Sequence, residues 1–283
     1  MKIRDILERL HQAAAPLYGV REAHQISRIA AMEVWGFTPT DLILKIDEEH
    51  EGELKELEHI ASEIASGRPL QYILGESEFC GLTLSLKEGV LIPRPETEEL
   101  VNLIVEEYAR TTPKILDIGT GSGAIAISLA HHIKGSRLFA LDLSQDALGI
   151  AKANAERNAL PITFIEGDAL LGVENATEER EFDVVVSNPP YIPRSESSLM
   201  RPNVLDFEPH LALFVEDDNP LIFYRSIARS SLVMLKSGGR LYFECHEDYV
   251  FHVEQLLRDK GYHEVQSAKD INNKPRMVWA TRP

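Results

Sequence analysis

A chain of 283 residues, 44% of them apolar, has material for one large hydrophobic core or for a core plus a smaller companion domain. Its formal charge of −16 weighs against a protein whose affinity rests on neutralising nucleic-acid phosphates. The charged N-terminus carries no signal-type apolar region and no run reaches membrane-spanning length. The two cysteines, Cys80 and Cys245, sit in no motif, so the expectation is a reduced, cytoplasmic protein with no membrane partner.

Residues 1–74 read as helices only, a small bundle. Ile3, Ile6, Leu7 and Leu10 share one helical face, and Ile26, Ile29, Ala30 and Val34 form the stripe of a second helix from about Glu22 to Trp35. Gly36 and Thr38-Pro39 end that helix and start a short third. A fourth runs from about Glu51 to Ser66 and stops at Gly67-Arg68-Pro69. Over residues 75–92 the period changes to two: Leu82, Leu84 and Leu86 alternate with polar residues, and Glu88-Gly89 reads as a turn into Val90-Leu91-Ile92. This predicts a β-hairpin connecting two domains. Pro93-Arg94-Pro95-Glu96-Thr97-Glu98 then opens a helix to about Arg110, either as a plain N-terminal cap or as the border of a site.

Residues 93–283 alternate strands and helices, the pattern of an α/β, doubly wound, Rossmann-like sheet. Strands are expected at 114–118, 137–141, 162–165, 182–186 and 240–244, with a closing pair at 263–267 and 276–281, seven in all. Helices are expected at 124–132, from Ser144 to about 158, at 220–235 and at 247–260, while 192–219 reads as a long irregular segment.

Two stretches carry chemistry. In the first, Asp117 ends a strand and Gly119-Thr120-Gly121-Ser122-Gly123 makes a tight turn onto a helix N-terminus, so backbone can approach a ligand without Cβ interference. Asp142 ends the next strand about twenty residues on, where a carboxylate can hold both ribose hydroxyls. Together these predict a nucleoside-bearing cofactor, and the loop alone fits a dinucleotide as well. Asp168, ending the third strand, is either a contact for an adenine amino group or a turn aspartate after Gly167.

The second stretch runs from a buried strand, Phe182 to Val186, straight into Asn188-Pro189-Pro190-Tyr191. The two prolines fix the backbone and remove two N–H groups, leaving acceptors and few donors. The Asn188 side-chain oxygen and the Pro189 carbonyl suit the two hydrogens of a planar NH2, with the Tyr191 ring against its face. Because the fourth strand neighbours the first in a doubly wound sheet, this grip faces the cofactor loop. That pairing implies methyl transfer from S-adenosylmethionine to nitrogen, achieved by positioning and fixed dipoles, with no metal.

Asp117-Ile-Gly-Thr-Gly-Ser-Gly-Ala-Ile-Ala, Asn188-Pro-Pro-Tyr, Pro93-Arg-Pro-Glu-Thr-Glu, Arg68-Pro-Leu-Gln-Tyr-Ile-Leu-Gly and Phe207-Glu208-Pro209 before Ala212-Leu213 resemble the release-factor glutamine N5-methyltransferases. The likeness spans the chain from the N-terminal helices through Arg276. It implies methylation of the glutamine amide in the Gly-Gly-Gln tripeptide of class 1 peptide chain release factors, on a seven-stranded methyltransferase sheet. Gly119 to Gly123 and Asp142 would bind S-adenosylmethionine, and Ala169 would line the adenine pocket. Asn188 to Tyr191 would hold the glutamine, with Asn188 also near the methyl donor. The helical domain would dock the release factor, with the hairpin as hinge. Asn219-Pro220 and Glu244-Cys245-His246 depart from the family pattern.

The alternative is an N6-adenine methyltransferase on DNA or RNA, which uses the same grip on a flipped base. It needs a basic strand-binding surface, and no basic run exists in this sequence. A non-enzymatic nucleoside-sensing module is the third reading, against which the intact Asn188-Pro-Pro-Tyr stands.

Overall fold

Apolar residues at helical spacing bury Ile3, Ile6, Leu10 and Ala14 along one face of α1 (Ile3–Tyr18), which packs on α2 (Val20–Trp35). The coordinates are a computed structural model describing residues 1–283. Thr38 caps α3 (Pro39–Leu44) through a reciprocal box: its hydroxyl accepts from the Asp41 N–H, and the Asp41 carboxylate accepts from the Thr38 N–H, both at 3.1 Å. α4 (Leu54–Ala65) adds Leu57, Ile60 and Ile64 to the same core. Beyond the expected stop at Pro69, one more helix forms, α5 (Leu70–Leu74). It is too short to show a period, but Leu70 and Tyr72 are buried.

The predicted hairpin is real but its turn is not at Glu88-Gly89. β1 (Glu76–Phe79) pairs with β2 (Leu82–Ser85) around Cys80-Gly81, both at positive φ (49° and 74°), as a type I′-like turn requires. Cysteine is an unusual residue at such a turn, which hid it. Val90 and Ile92 are buried but form no strand. α6 (Pro95–Tyr108) follows, then β3 (Lys114–Ile118), α7 (Ala124–His132), β4 (Arg137–Asp142), α8 (Gln145–Arg157), β5 (Ile162–Glu166) and β6 (Phe182–Ser187). The Ser144 hydroxyl caps α8 by accepting from the Ala147 N–H at 3.2 Å.

Residues 192–219 are not irregular. They hold β7 (Ile192–Pro193), a 3-10 turn at Arg194–Leu199, α9 (Pro202–Phe207), α10 (His210–Leu213) and β8 (Phe214–Val215), with β7 and β8 paired in parallel. Every piece has six residues or fewer, so hydrophobic periodicity could not announce them. α11 (Ile222–Met234), β9 (Leu235–Glu244), α12 (Val250–Asp259), β10 (His263–Lys269) and β11 (Pro275–Thr281) complete the chain. β9 starts five residues earlier than expected, because Leu235 already pairs with Phe182 before a register shift carries the ladder on to Val184 and Arg240.

Contacts gather the chain into two units: Met1–Glu76 with Leu199–Glu208, and Ser77–Ser198 with Pro209–Pro283. This differs from a split at 74 and 92 in two ways. The hairpin folds with the sheet: the Asn154 side chain of α8 accepts from the Ser85 N–H at 2.7 Å and donates to the Ser85 carbonyl at 3.0 Å. And the segment carrying α9 folds with the helices, where Arg201 pairs with Glu22 at 2.6 Å.

The larger unit is built on a seven-stranded sheet of order β10-β11-β9-β6-β3-β4-β5. Its first five strands in sequence after the hairpin pair in parallel, and β11 and β10 join antiparallel at one edge. Alternation sends Leu116, Phe139, Val185 and Phe243 to one face, under α11 and α12, and Ile115, Leu138, Val184 and Tyr242 to the other, under α6 and α7. No helix is long and apolar enough to cross a membrane.

Candidate active site

Register puts Ile118 opposite both Leu141 and Ser187, and Ser187 opposite Phe243. The residues that follow, Gly119, Asp142, Asn188 and Glu244, therefore leave four adjacent strands in step at the carboxyl edge of the sheet. The crevice lies between β3 and β6, where the strand order reverses, and that is where open α/β sheets bind ligands.

The glycine loop is built from backbone. The N–H groups of Gly119 and Thr120 both donate to the Leu141 carbonyl, at 2.8 and 3.0 Å. Gly119, Gly121 and Gly123 all have positive φ, of 75°, 56° and 84°. A Cβ on Gly119 or Gly121 would meet nothing within 4 Å, so the loop is open on that side. A Cβ on Gly123 would sit 2.8 Å from Ile127 Cδ1 and 3.1 Å from the Ala151 methyl, so that glycine serves helix packing. Thr120 and Ser122 have buried side chains, and the Thr120 hydroxyl donates to Asp117 Oδ2 at 2.6 Å. The stretch thus offers a ligand its main chain rather than hydroxyls. Burial pushes the Asp117 carboxyl up to about 7, against the pull of the Thr120 hydrogen bond.

Asp142 is fixed by two backbone donors: Gly121 N–H to Oδ2 at 2.8 Å and Ser144 N–H to Oδ1 at 2.9 Å. Each oxygen keeps a further lone-pair direction for a hydroxyl donor. The open backbone cradle and this oriented carboxylate fit a nucleoside cofactor. Asp168 Oδ1 accepts from the Leu170 N–H at 2.7 Å, the turn role anticipated as one of its two readings. The Ala169 carbonyl accepts from the Ser226 hydroxyl at 2.6 Å, and its methyl packs on the core face below.

Asn188 and Tyr191 are half-buried and held by side chains that sequence reasoning did not place. The Asn188 amide nitrogen donates to Thr97 Oγ1 at 3.3 Å, the Thr97 hydroxyl donates to Glu244 Oε2 at 2.6 Å, and the Tyr191 hydroxyl donates to Glu244 Oε1 at 3.2 Å. Pro189 is buried and Pro190 half-buried. Burial raises the Glu244 carboxyl above its ordinary range, opposed by Thr97, Arg276 and Tyr191 and reinforced by Glu96. Burial also raises the Tyr191 phenol, with the Glu244 charge adding to it. The Pro93-to-Glu98 entry of α6 therefore borders the site, since it presents Thr97. Its place as the last residue of the expected strand at 240–244 was the one sequence signal that could have flagged Glu244, and the departure from the family pattern at Cys245-His246 leaves the glutamate in place.

Residues 5–75 match the family model described as PrmC N-terminal domain, and residues 96–201 that described as Methyltransferase small domain. The chain is 39% identical over 274 residues to the release factor glutamine methyltransferase of Bacteroides thetaiotaomicron, covering 96% of this chain and 98% of that one. It is also 39% identical over 283 residues to the Flavobacterium psychrophilum protein of the same name, covering 98% of each. Among solved structures, a methyltransferase from Pyrococcus furiosus matches with a TM-score of 0.52 at 17% identity, over 71% of this chain and 89% of that one, a likeness of fold. Fold and relatives together define a Rossmann-like methyltransferase. More narrowly, the chain belongs to the family of release factor glutamine methyltransferases.

Proposed function

We propose that this protein methylates the side-chain amide nitrogen of the glutamine in the Gly-Gly-Gln motif of class 1 peptide chain release factors, with S-adenosylmethionine as methyl donor. The observation that carries the reading is the orientation of Asn188. Its NH2 end is engaged by Thr97, so its oxygen is the end left to receive a substrate hydrogen. The Pro189 carbonyl supplies the second acceptor, since two successive prolines leave no N–H there to compete. With both hydrogens of a carboxamide held, its nitrogen lone pair is turned out of conjugation and aimed. The Tyr191 hydroxyl is tied to Glu244, which fixes the ring that would lie against the amide plane.

Gly119, Gly121 and Asp142 would hold the cofactor by its backbone-facing and ribose groups; when bound, it supplies an electrophilic methyl on a sulfonium. Pre-organised geometry of this kind lowers barriers by several kcal/mol, on the order of 7–11 at best. The helical unit would supply the docking surface for the release factor, and the reaction would run in the cytoplasm, where release factors act. Adenine N6 transfer is not favoured, because both the relatives and the net charge of −16 point to a protein substrate. The test is incubation with labelled S-adenosylmethionine and a full-length release factor, wild type or with the Gly-Gly-Gln glutamine replaced. Label is expected on the wild-type factor alone; label on the replaced factor or on nucleic acid refutes the assignment.

A further inference from the structure

Asn188 is symmetric in shape but not in chemistry: one end of its amide donates and the other accepts, and a flip by 180° exchanges them at almost no steric cost. A grip that needs the oxygen toward substrate must therefore specify the flip. Thr97 has a single hydroxyl proton and Glu244, when ionised, has none. The proton of Thr97 goes to Glu244 Oε2 at 2.6 Å, a short, charge-assisted bond between two buried groups. Toward Asn188, 3.3 Å away, Thr97 then has only lone pairs. The amide must turn its NH2 to Thr97 and its oxygen to the crevice. The other carboxylate oxygen receives the Tyr191 hydroxyl, so the same glutamate sets both members of the tetrapeptide that bear polar side chains.

We propose that Thr97 and Glu244 are positioning residues, a buried relay that fixes which end of the Asn188 amide meets the substrate. The inference rests on the carboxamide reading above. The relay is polarised by the charge on Glu244 and fails when that charge is lost. A protonated Glu244 can donate to Thr97, whose own proton is then free to turn to Asn188 and reverse it. The groups around Glu244 are Thr97 and Glu96 on α6, Tyr191 after β6, Arg276 on β11, and Tyr224 on α11, whose hydroxyl donates to the Glu244 carbonyl at 3.2 Å. Arg276 favours the charged form and Glu96 opposes it. The consequence is an acid limb in the rate, with activity present above the folded pKa of Glu244 and lost as pH falls through it. That pKa lies above the ordinary carboxylate value.

The test uses the full chain with a release factor substrate and three variants. Thr97→Val keeps the β-branched shape and removes the hydroxyl; Thr97→Ser keeps the hydroxyl; Glu244→Gln replaces a two-acceptor group by one that must donate at one end. Thr97→Val should lower kcat on the order of tenfold, the worth of one well-placed hydrogen bond. Its cofactor affinity by calorimetry should stay close to wild type; some stability is lost with the donor to buried Glu244, so kcat is read on the folded fraction. Thr97→Ser should recover kcat to within about threefold. Glu244→Gln should be slow at every pH and lack the acid limb. Thr97→Val at full speed, Thr97→Ser as slow as Thr97→Val, or an acid limb surviving in Glu244→Gln would each overturn the relay while the wild-type reaction upholds the glutamine reading. An unlabelled release factor in the wild-type reaction removes that reading and the relay with it.

Discussion

The glycine loop and the Asn188-Pro-Pro-Tyr segment sit side by side at one sheet edge, yet they are made by opposite means. The loop is local and is built of main chain: its hydrogen bonds run to the next strand's carbonyl, and its side chains are turned inward. The tetrapeptide is held from afar, by Thr97 at a separation of 91 residues and Glu244 at 53, with Thr97 and Glu244 themselves 147 apart. A backbone site tolerates any side chain that leaves its φ values alone. A side-chain site fails at any one member. The two regions should therefore break differently, one in cofactor affinity or stability and the other in turnover.

The largest effect is expected at Asn188. Asn188→Ala removes the acceptor itself and should cost about 10²–10³ in kcat, the usual worth of one preorganised polar group at a reacting centre. Calorimetric affinity for S-adenosylmethionine should change by a few-fold at most. A parallel loss of affinity would mean that the two regions are one site energetically, and the contrast would be lost.

Next is Gly123→Ala. At φ 84° an alanine is strained, and its methyl would press on Ile127 and Ala151 at 2.8 and 3.1 Å. Strain of about 1 kcal/mol and overpacking of about 2 kcal/mol combine to an expected loss near 3 kcal/mol, read as a lower denaturation midpoint in urea. Turnover of the fraction that remains folded should be near normal.

The same contrast explains what the sequence disclosed. The glycine loop, Asp142 and the strand before Asn188 were legible because spacing along the chain sets their geometry. The adjacency of β3 and β6 was legible as well, because the alternation of strands and helices implies a doubly wound sheet in which those two strands are neighbours. Thr97 and Glu244 were not legible as a pair: nothing in Pro-Arg-Pro-Glu-Thr-Glu or Glu-Cys-His says which hydroxyl will meet which carboxylate, since only β6–β9 pairing and the entry of α6 bring them together. The Cys80-Gly81 turn and the short elements of 192–219 escaped for a different reason, being too brief for periodicity or carried by an atypical turn residue. Asp168 was legible only as a choice between two roles; of these, the structure displays the turn role.

Asp117 offers a pH test of the loop that leaves the tetrapeptide alone. Its folded pKa of about 7 lies above the unfolded carboxylate value near 4, so the folded state holds a proton across that window that the unfolded state has released. Stability is then greatest below the lower value and declines as pH rises toward the upper one, by about 2 kcal/mol between pH 5 and 7. Asp117→Asn cannot ionise and should flatten this slope relative to wild type, measured as urea midpoints across the range. A slope that persists unchanged would show that Asp117 does not titrate there.

The smallest stability effect, and the sharpest comparison, belongs to Gly119→Ala. Its φ of 75° resembles that of Gly123, so the backbone strain should be similar, about 1 kcal/mol. But its Cβ would project into open space, with no atom within 4 Å, so overpacking contributes nothing. That open side is where the cradle would admit the cofactor, and a methyl there stands where a ligand atom should approach the main chain. Gly119→Ala should therefore lower the urea midpoint only about a third as far as Gly123→Ala, while weakening S-adenosylmethionine binding by about tenfold, close to 1.4 kcal/mol. Gly123→Ala should do the reverse. If both variants lost stability equally and bound the cofactor equally well, the loop would be a structural turn, and the division of labour between its first and last glycines would be wrong.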